Sequence, residues 1–126
     1  MTKEVLKTTQ LPPAVGPYSQ VVRAGDLLFI SGQISADPVT GEVIVQDVEK
    51  QTHTIMQLIR AALEEQGSSM AQIVKCTVHL SDSKHFNDMN RAYASYFDGD
   101  YPARLTVSGV QLYDGVDVEI DVIAAI

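Results

Sequence analysis

Arg104 opens a predicted strand directly after Tyr101-Pro102-Ala103. Proline fixes the backbone ahead of it, so the guanidinium sits on a rigid element rather than a mobile loop. A guanidinium suits two-pronged capture of a planar carboxylate. Two readings stand, anion capture and a solvent-facing charge on an edge strand, and residue type alone favours the second. Glu119 alternates with Asp117 and Asp121 along the last predicted strand. Three carboxylates on one strand face are more often solvated than catalytic. Were that face covered, like-charge crowding would raise at least one pKa and make a usable acid. Asn90 sits within an otherwise apolar helical stripe, where a buried amide must be hydrogen-bonded or cost stability. Local structural bonding and a role in a site stand as equal readings for it.

The remaining reactive side chains point nowhere in particular. Cys76 lies on the predicted Val74, Val78, Leu80 strand face and reads as a core thiol. His53, His79 and His85 lack a metal-ligand spacing, and Glu49 with His53, four apart, reads as a surface pair on a helix. The chain contains no GxGxxG, P-loop or GxSxG, so nothing demands a nucleotide, a flavin or a metal.

These residues need a scaffold, and hydrophobic periodicity supplies one. Val5 to Thr8 is a candidate first strand. Val21 to Ile34, broken at Ala24-Gly25-Asp26, reads as a hairpin whose second arm, Leu27 to Ile30, is apolar on both faces and therefore central. A first helix begins at an Asp47 N-cap, carries the stripe Ile55, Leu58, Ile59, Ala62 and Leu63, and stops at Gly67. Ser69 to Gln72 fits a capping box for a short helical turn. Ile73 to Leu80 reads as a strand. Ser81-Asp82-Ser83 starts a second helix with the stripe Phe86, Met89, Asn90, Tyr93, Ala94 and Phe97, ended by Asp98 to Pro102. Arg104 to Val110 and Val116 to Ala124 alternate as strands. The order is β-β-β-α-β-α-β-β, an α+β fold with two helices on one face of a sheet of five or six strands. The second sheet face is mixed rather than fully polar, which suggests partial cover by another subunit.

The chain has 126 residues, of which 45% are hydrophobic and 20% charged, so one domain spanning 1–126 with an ordinary core is expected. The excess of 16 Asp+Glu over 9 Lys+Arg gives a net charge of −7, which argues against nucleic acid or anionic membrane as partner. No run approaches the ~18 apolar residues of a membrane span. A single cysteine and the absence of a signal-peptide pattern make a cytoplasmic protein the simplest expectation.

Three segments are more specific than this. They are Gly16-Pro17-Tyr18-Ser19-Gln20, then Ile30-Ser31-Gly32-Gln33-Ile34, then Tyr101-Pro102-Ala103-Arg104 followed by Val118-Glu119-Ile120-Asp121-Val122-Ile123-Ala124. With Asn90-Arg91-Ala92-Tyr93 ahead of Phe97, they resemble, over nearly the whole chain, the Rid family, also called the YjgF or reactive intermediate deaminase family. The resemblance implies a chorismate-mutase-like α+β fold and a homotrimer with ligand clefts between subunits. It implies hydrolysis of short-lived enamines and imines, such as 2-aminoacrylate, to a 2-keto acid and ammonia, without metal or cofactor.

Residue by residue, the resemblance makes Arg104 the grip on the substrate carboxylate and Glu119 the group that places the attacking water or protonates through it. It makes Tyr18, Ser31, Gly32 and Asn90 the lining or support of the cleft. Thr106 stands where the family often has cysteine, and its hydroxyl can hydrogen-bond a ligand oxygen. Tyr113 follows Leu112 where the family often has proline. Three rivals accompany the deaminase: a non-catalytic 2-keto-acid sensor using the same arginine, a pathway-specific deaminase of a larger enamine such as 2-aminomuconate, and a ribonuclease or translation inhibitor, which the net charge disfavours.

Overall fold

In the computed structural model, which describes residues 2–126, six strands and two α-helices follow the expected order. They are β1 (Lys3–Leu6), β2 (Val21–Ala24), β3 (Leu27–Gln33), α1 (Val48–Glu65), β4 (Ile73–Leu80), α2 (Phe86–Ala94), β5 (Ala103–Ser108) and β6 (Val118–Ala125). The strands form one mixed sheet in the order β1-β2-β3-β6-β4-β5. Only β4 and β5 run parallel, joined by the crossover through α2; the other pairs are antiparallel.

α1 starts where Asp47 accepts a hydrogen bond from the Lys50 N–H at 2.9 Å, and its chain reverses at Gly67, whose φ of 82° favours glycine. Its stripe of Ile55, Leu58, Ile59, Ala62 and Leu63 is buried throughout. Against it lie Val21, Leu28 and Ile30 of β2 and β3, Cys76, Val78 and Leu80 of β4, and Val118, Ile120 and Val122 of β6. Met89 and Tyr93 of α2 complete this layer. Side chains of this size contribute roughly 1.5–3 kcal/mol each on burial.

Several boundaries differ from expectation for local reasons. The first strand is Lys3–Leu6 rather than Val5 to Thr8, because it pairs with the four residues of β2. The second arm of the hairpin is internal to the sheet, but one of its faces stays open: Leu27 is 37% and Phe29 38% exposed. Val74 does not share the face of Cys76, because a bulge between Ile73 and Lys75 turns it outward. The Ser69 hydroxyl donates to the Gln72 side chain at 3.1 Å instead of capping backbone. A 3-10 turn over Ser83–His85, with Asp82 accepting from the Lys84 N–H, precedes α2, which ends at Ala94. Glu49 and His53 do not pair. Glu49 meets Arg91 at 3.6 Å, and His53 Nδ1 lies 2.9 Å from the Tyr96 hydroxyl.

Cys76 is fully buried, as its position among core residues required. Burial raises the thiol from 9.0 to about 11, against smaller opposing effects of the Tyr93 hydroxyl and Arg104. The folded value lies above the unfolded one, so the contribution to stability is full below pH 9 and lost as pH climbs through 11. That loss amounts to about 2–3 kcal/mol. The stability read from denaturant unfolding should therefore fall more steeply between pH 8 and 11 for wild type than for Cys76→Ser.

Candidate active site

The side chains singled out in the sequence fall into two groups, one on each face of the sheet. The first surrounds a cleft of about 360 Å³ lined by Asn90, Tyr93, Ala94, Tyr101, Pro102 and Arg104. It forms where β5, at the sheet edge, meets the C-terminal half of α2. Arg104 pairs in register with buried Cys76 and so points to the helix side. Its guanidinium lies 4.9 Å from the Tyr93 ring centre and 5.7 Å from that of Phe86, with one N–H directed at the Met89 sulfur at 4.0 Å. Cation–π contacts of this kind contribute about 0.5–2 kcal/mol each and help hold the guanidinium in place. Among the described residues, Arg104 makes no ion pair with a carboxylate. A cation held by rings and left without an anion is a built receptor for a carboxylate. Thr106, two residues on, points to the same side as Arg104, opposite Val78.

The second group lies on the helix-free face. Glu119 of β6 is half-buried and stands opposite His79 of β4. Its carboxyl group packs over Gly32, where a Cβ would come within 3.0 Å of Glu119 Cδ and 3.1 Å of Oε2. Only a hydrogen atom fits there without displacing the carboxylate. Ser31 and Gly32 lie in a break of register between β3 and β6. The Ser31 N–H donates to the Gln20 carbonyl at 3.1 Å and its hydroxyl to the Ser19 carbonyl at 2.5 Å. These bonds tie the break to the loop that carries Tyr18, whose exposed hydroxyl accepts from the Val15 N–H at 3.3 Å.

Burial lifts the Glu119 carboxyl above the ordinary carboxylate range; His79 pulls it back and Asp121 pushes it further up. Asp117 does not join this group. It leaves the strand face to accept from the Ser81 hydroxyl at 2.7 Å and the Gln51 amide at 3.2 Å, with His85 at 3.5 Å.

Asn90, Arg104 and Thr106 thus share the helix side, and Glu119, Gly32, Ser31 and Tyr18 belong to the opposite side and its adjoining loop. The two rings that hold Arg104 escaped the sequence reading, which assigned Phe86 and Tyr93 to the core stripe. Their spacing of seven, two helical turns on one face, is the signal that could have paired them with a neighbouring strand.

The family model described as "Endoribonuclease L-PSP" matches residues 8–126. A Rid family protein of Yersinia pestis, YyfA, superposes with a TM-score of 0.93 at 40% identity, covering 99% of this chain and 100% of that one. This chain belongs to the Rid family. Other Rid relatives agree. A RutC family protein of Pyrococcus horikoshii is 44% identical over 97% of both chains. Reactive Intermediate Deaminase A, chloroplastic, of Arabidopsis thaliana is 36% identical over 98% of this chain and 66% of its own length. E. coli TdcF, solved with bound serine, has a TM-score of 0.89 at 35% identity over 98% of each chain. The chorismate-mutase-like α+β arrangement expected of a Rid chain is the one described above.

Proposed function

We propose that this Rid protein is an enamine and imine deaminase that releases a 2-keto acid and ammonia, and that it works as a homotrimer. The observation that carries the reading is Arg104, a cation held against the rings of Tyr93 and Phe86 beside a cleft, with no carboxylate partner among the described residues. The deaminase name of the Arabidopsis relative and the serine in E. coli TdcF support a small substrate bearing a carboxylate.

In this reading Arg104 takes the carboxylate of a 2-imino acid through two parallel N–H···O bonds. The imine carbon is already electrophilic, so holding the substrate and placing one water suffice. Water adds to the imine carbon, the new C–O bond forms, and the water's proton passes through Glu119 to the nitrogen. The C–N bond then breaks and ammonia leaves, so imine and water yield keto acid and ammonia. An enamine first takes a proton at its terminal carbon, a step a carboxyl lifted by burial can serve.

Arg104 and Glu119 face opposite sides of one sheet and cannot meet within one chain. A second copy bringing its helix-free face, and with it Glu119, to the Arg104 cleft resolves this. Exposed Leu27, Phe29 and Leu105 (52% exposed) make that face suitable for burial between copies. RNA cleavage, which the family description names, is disfavoured by the net charge of −7 and by a cleft lined by a single cation.

The test generates 2-aminoacrylate in situ with a pyridoxal-phosphate serine dehydratase and follows ammonia. The expected result is release above the spontaneous rate. Pyruvate binding with no gain in rate would instead establish the sensor.

A further inference from the structure

His53, Arg60 and Glu64 follow one another along a single face of α1, two turns and then one turn apart. The Tyr96 side chain reaches this face from the turn that follows α2. Its hydroxyl lies 2.9 Å from His53 Nδ1 and 3.3 Å from the His53 carbonyl oxygen, with the two rings 5.6 Å apart. Tyr96 is thereby fixed as a platform, and the Arg60 guanidinium lies over it, 5.6 Å from the ring centre. Arg60 and Glu64 are spaced for an ion pair, yet among the described residues they form none.

Arg60 and Tyr96 border a cavity of about 530 Å³. It is larger than the Arg104 cleft and shares no lining residue with it. Its charged lining is one cation, Arg60, and three carboxylates, Glu64, Asp98 and Asp100. None of the four is paired among the described residues. Met70, Ala71 and Phe97 give the same cavity a stretch of apolar wall. Surface carboxylates alone are ordinary. A guanidinium stacked on a fixed ring, beside three carboxylates it does not touch, leaves room between opposite charges for a molecule that carries both. A simple anion would meet Arg60 but also three carboxylates, and a simple cation would meet the carboxylates but also Arg60. One carboxylate and two ammonium groups on a methylene chain complement the whole set.

We propose that this cavity binds a free cationic amino acid. Its carboxylate lies on Arg60, its ammonium groups face Glu64, Asp98 and Asp100, and its methylene chain runs along Met70 and Phe97. The site is independent of the deaminase reading above, since it uses none of the residues that reading employs. All four charged side chains are exposed, so each ion pair contributes little and binding is expected in the millimolar range.

The test follows backbone amide NMR shifts at constant ionic strength while L-lysine is added. L-norleucine removes the side-chain ammonium of lysine, and 1,5-diaminopentane removes its carboxylate. Lysine should shift the amides of Arg60, Glu64 and Tyr96 to Asp100 saturably. It should bind more tightly than either truncated probe by about two- to fivefold, the range of one exposed ion pair. Arg60→Gln should erase the advantage of lysine over the diamine, while the diamine still binds and so verifies that the cavity is formed. Glu64→Gln combined with Asp98→Asn should weaken lysine and the diamine together. Lysine shifts that do not saturate, shifts confined to the Arg104 cleft, or equal affinity for lysine and either truncated probe would overturn the proposal. So would an Arg60→Gln protein that still prefers lysine, or one that no longer binds the diamine, because removing a like charge should not weaken a cation. Unchanged lysine binding in the doubly neutralised variant would do the same.

Discussion

Arg104→Ala should lower kcat/KM for imine hydrolysis by about two to four powers of ten, from the loss of two charge-assisted hydrogen bonds at roughly 1.5–3 kcal/mol each. Arg104→Lys keeps the charge but not the fork, and losing one such bond should cost about one to two powers of ten. Pyruvate affinity, read by calorimetry, should weaken in the same order. The fold should survive both changes, since Arg104 sits on an edge strand and holds no ion pair among the described residues. If Arg104→Ala deaminates like wild type, the arginine is only a surface cation stacked on two rings.

Glu119→Gln should separate binding from chemistry. Glutamine has nearly the same shape and can lie over Gly32 as glutamate does. Pyruvate binding should therefore change little, while kcat falls by about two to three powers of ten, the range of a lost general acid–base group. The effect on stability has the opposite sign. Burial raises the folded pKa of Glu119 above its unfolded value, so its contribution is full below the unfolded pKa and lost as pH rises through the folded one. At neutral pH the neutral glutamine should leave the protein at least as stable as wild type. A Gln variant that loses binding and turnover together would make Glu119 a ligand contact instead of a proton-handling group.

The sequence was most legible where one periodicity ruled. The α1 stripe, its Asp47 cap and its Gly67 stop stand where the pattern put them, because helix period and end chemistry agree. Legibility failed where a strand is interrupted. Alternation placed Val74 with Cys76, and a one-residue bulge reversed it. It also grouped Asp117 with Glu119 and Asp121, yet Gln51, Ser81 and His85 draw Asp117 away through contacts from distant parts of the chain. Arg104 and Glu119 could be named from motifs resembling a family. That they face opposite sides follows only from the register of β4 with both neighbours, which no local pattern reveals. The aromatic grip on Arg104 was hidden for the same reason: Phe86 and Tyr93 satisfy a core stripe equally well.

The division of Arg104 and Glu119 between two faces leads to the most direct test of a cleft shared by neighbouring chains. Arg104→Ala and Glu119→Gln proteins, each nearly inactive, are mixed in equal amounts, dissociated and reassembled. Light scattering first verifies trimers, and mass spectrometry verifies mixed composition. In a randomly mixed ring, about one cleft in four joins an intact Arg104 from one chain to an intact Glu119 from its neighbour. Ammonia release from freshly generated 2-aminoacrylate should accordingly recover to about a quarter of the wild-type rate. A verified mixture that stays at the level of its two parents would contradict the account, because it would mean that no cleft draws its arginine and its glutamate from different chains.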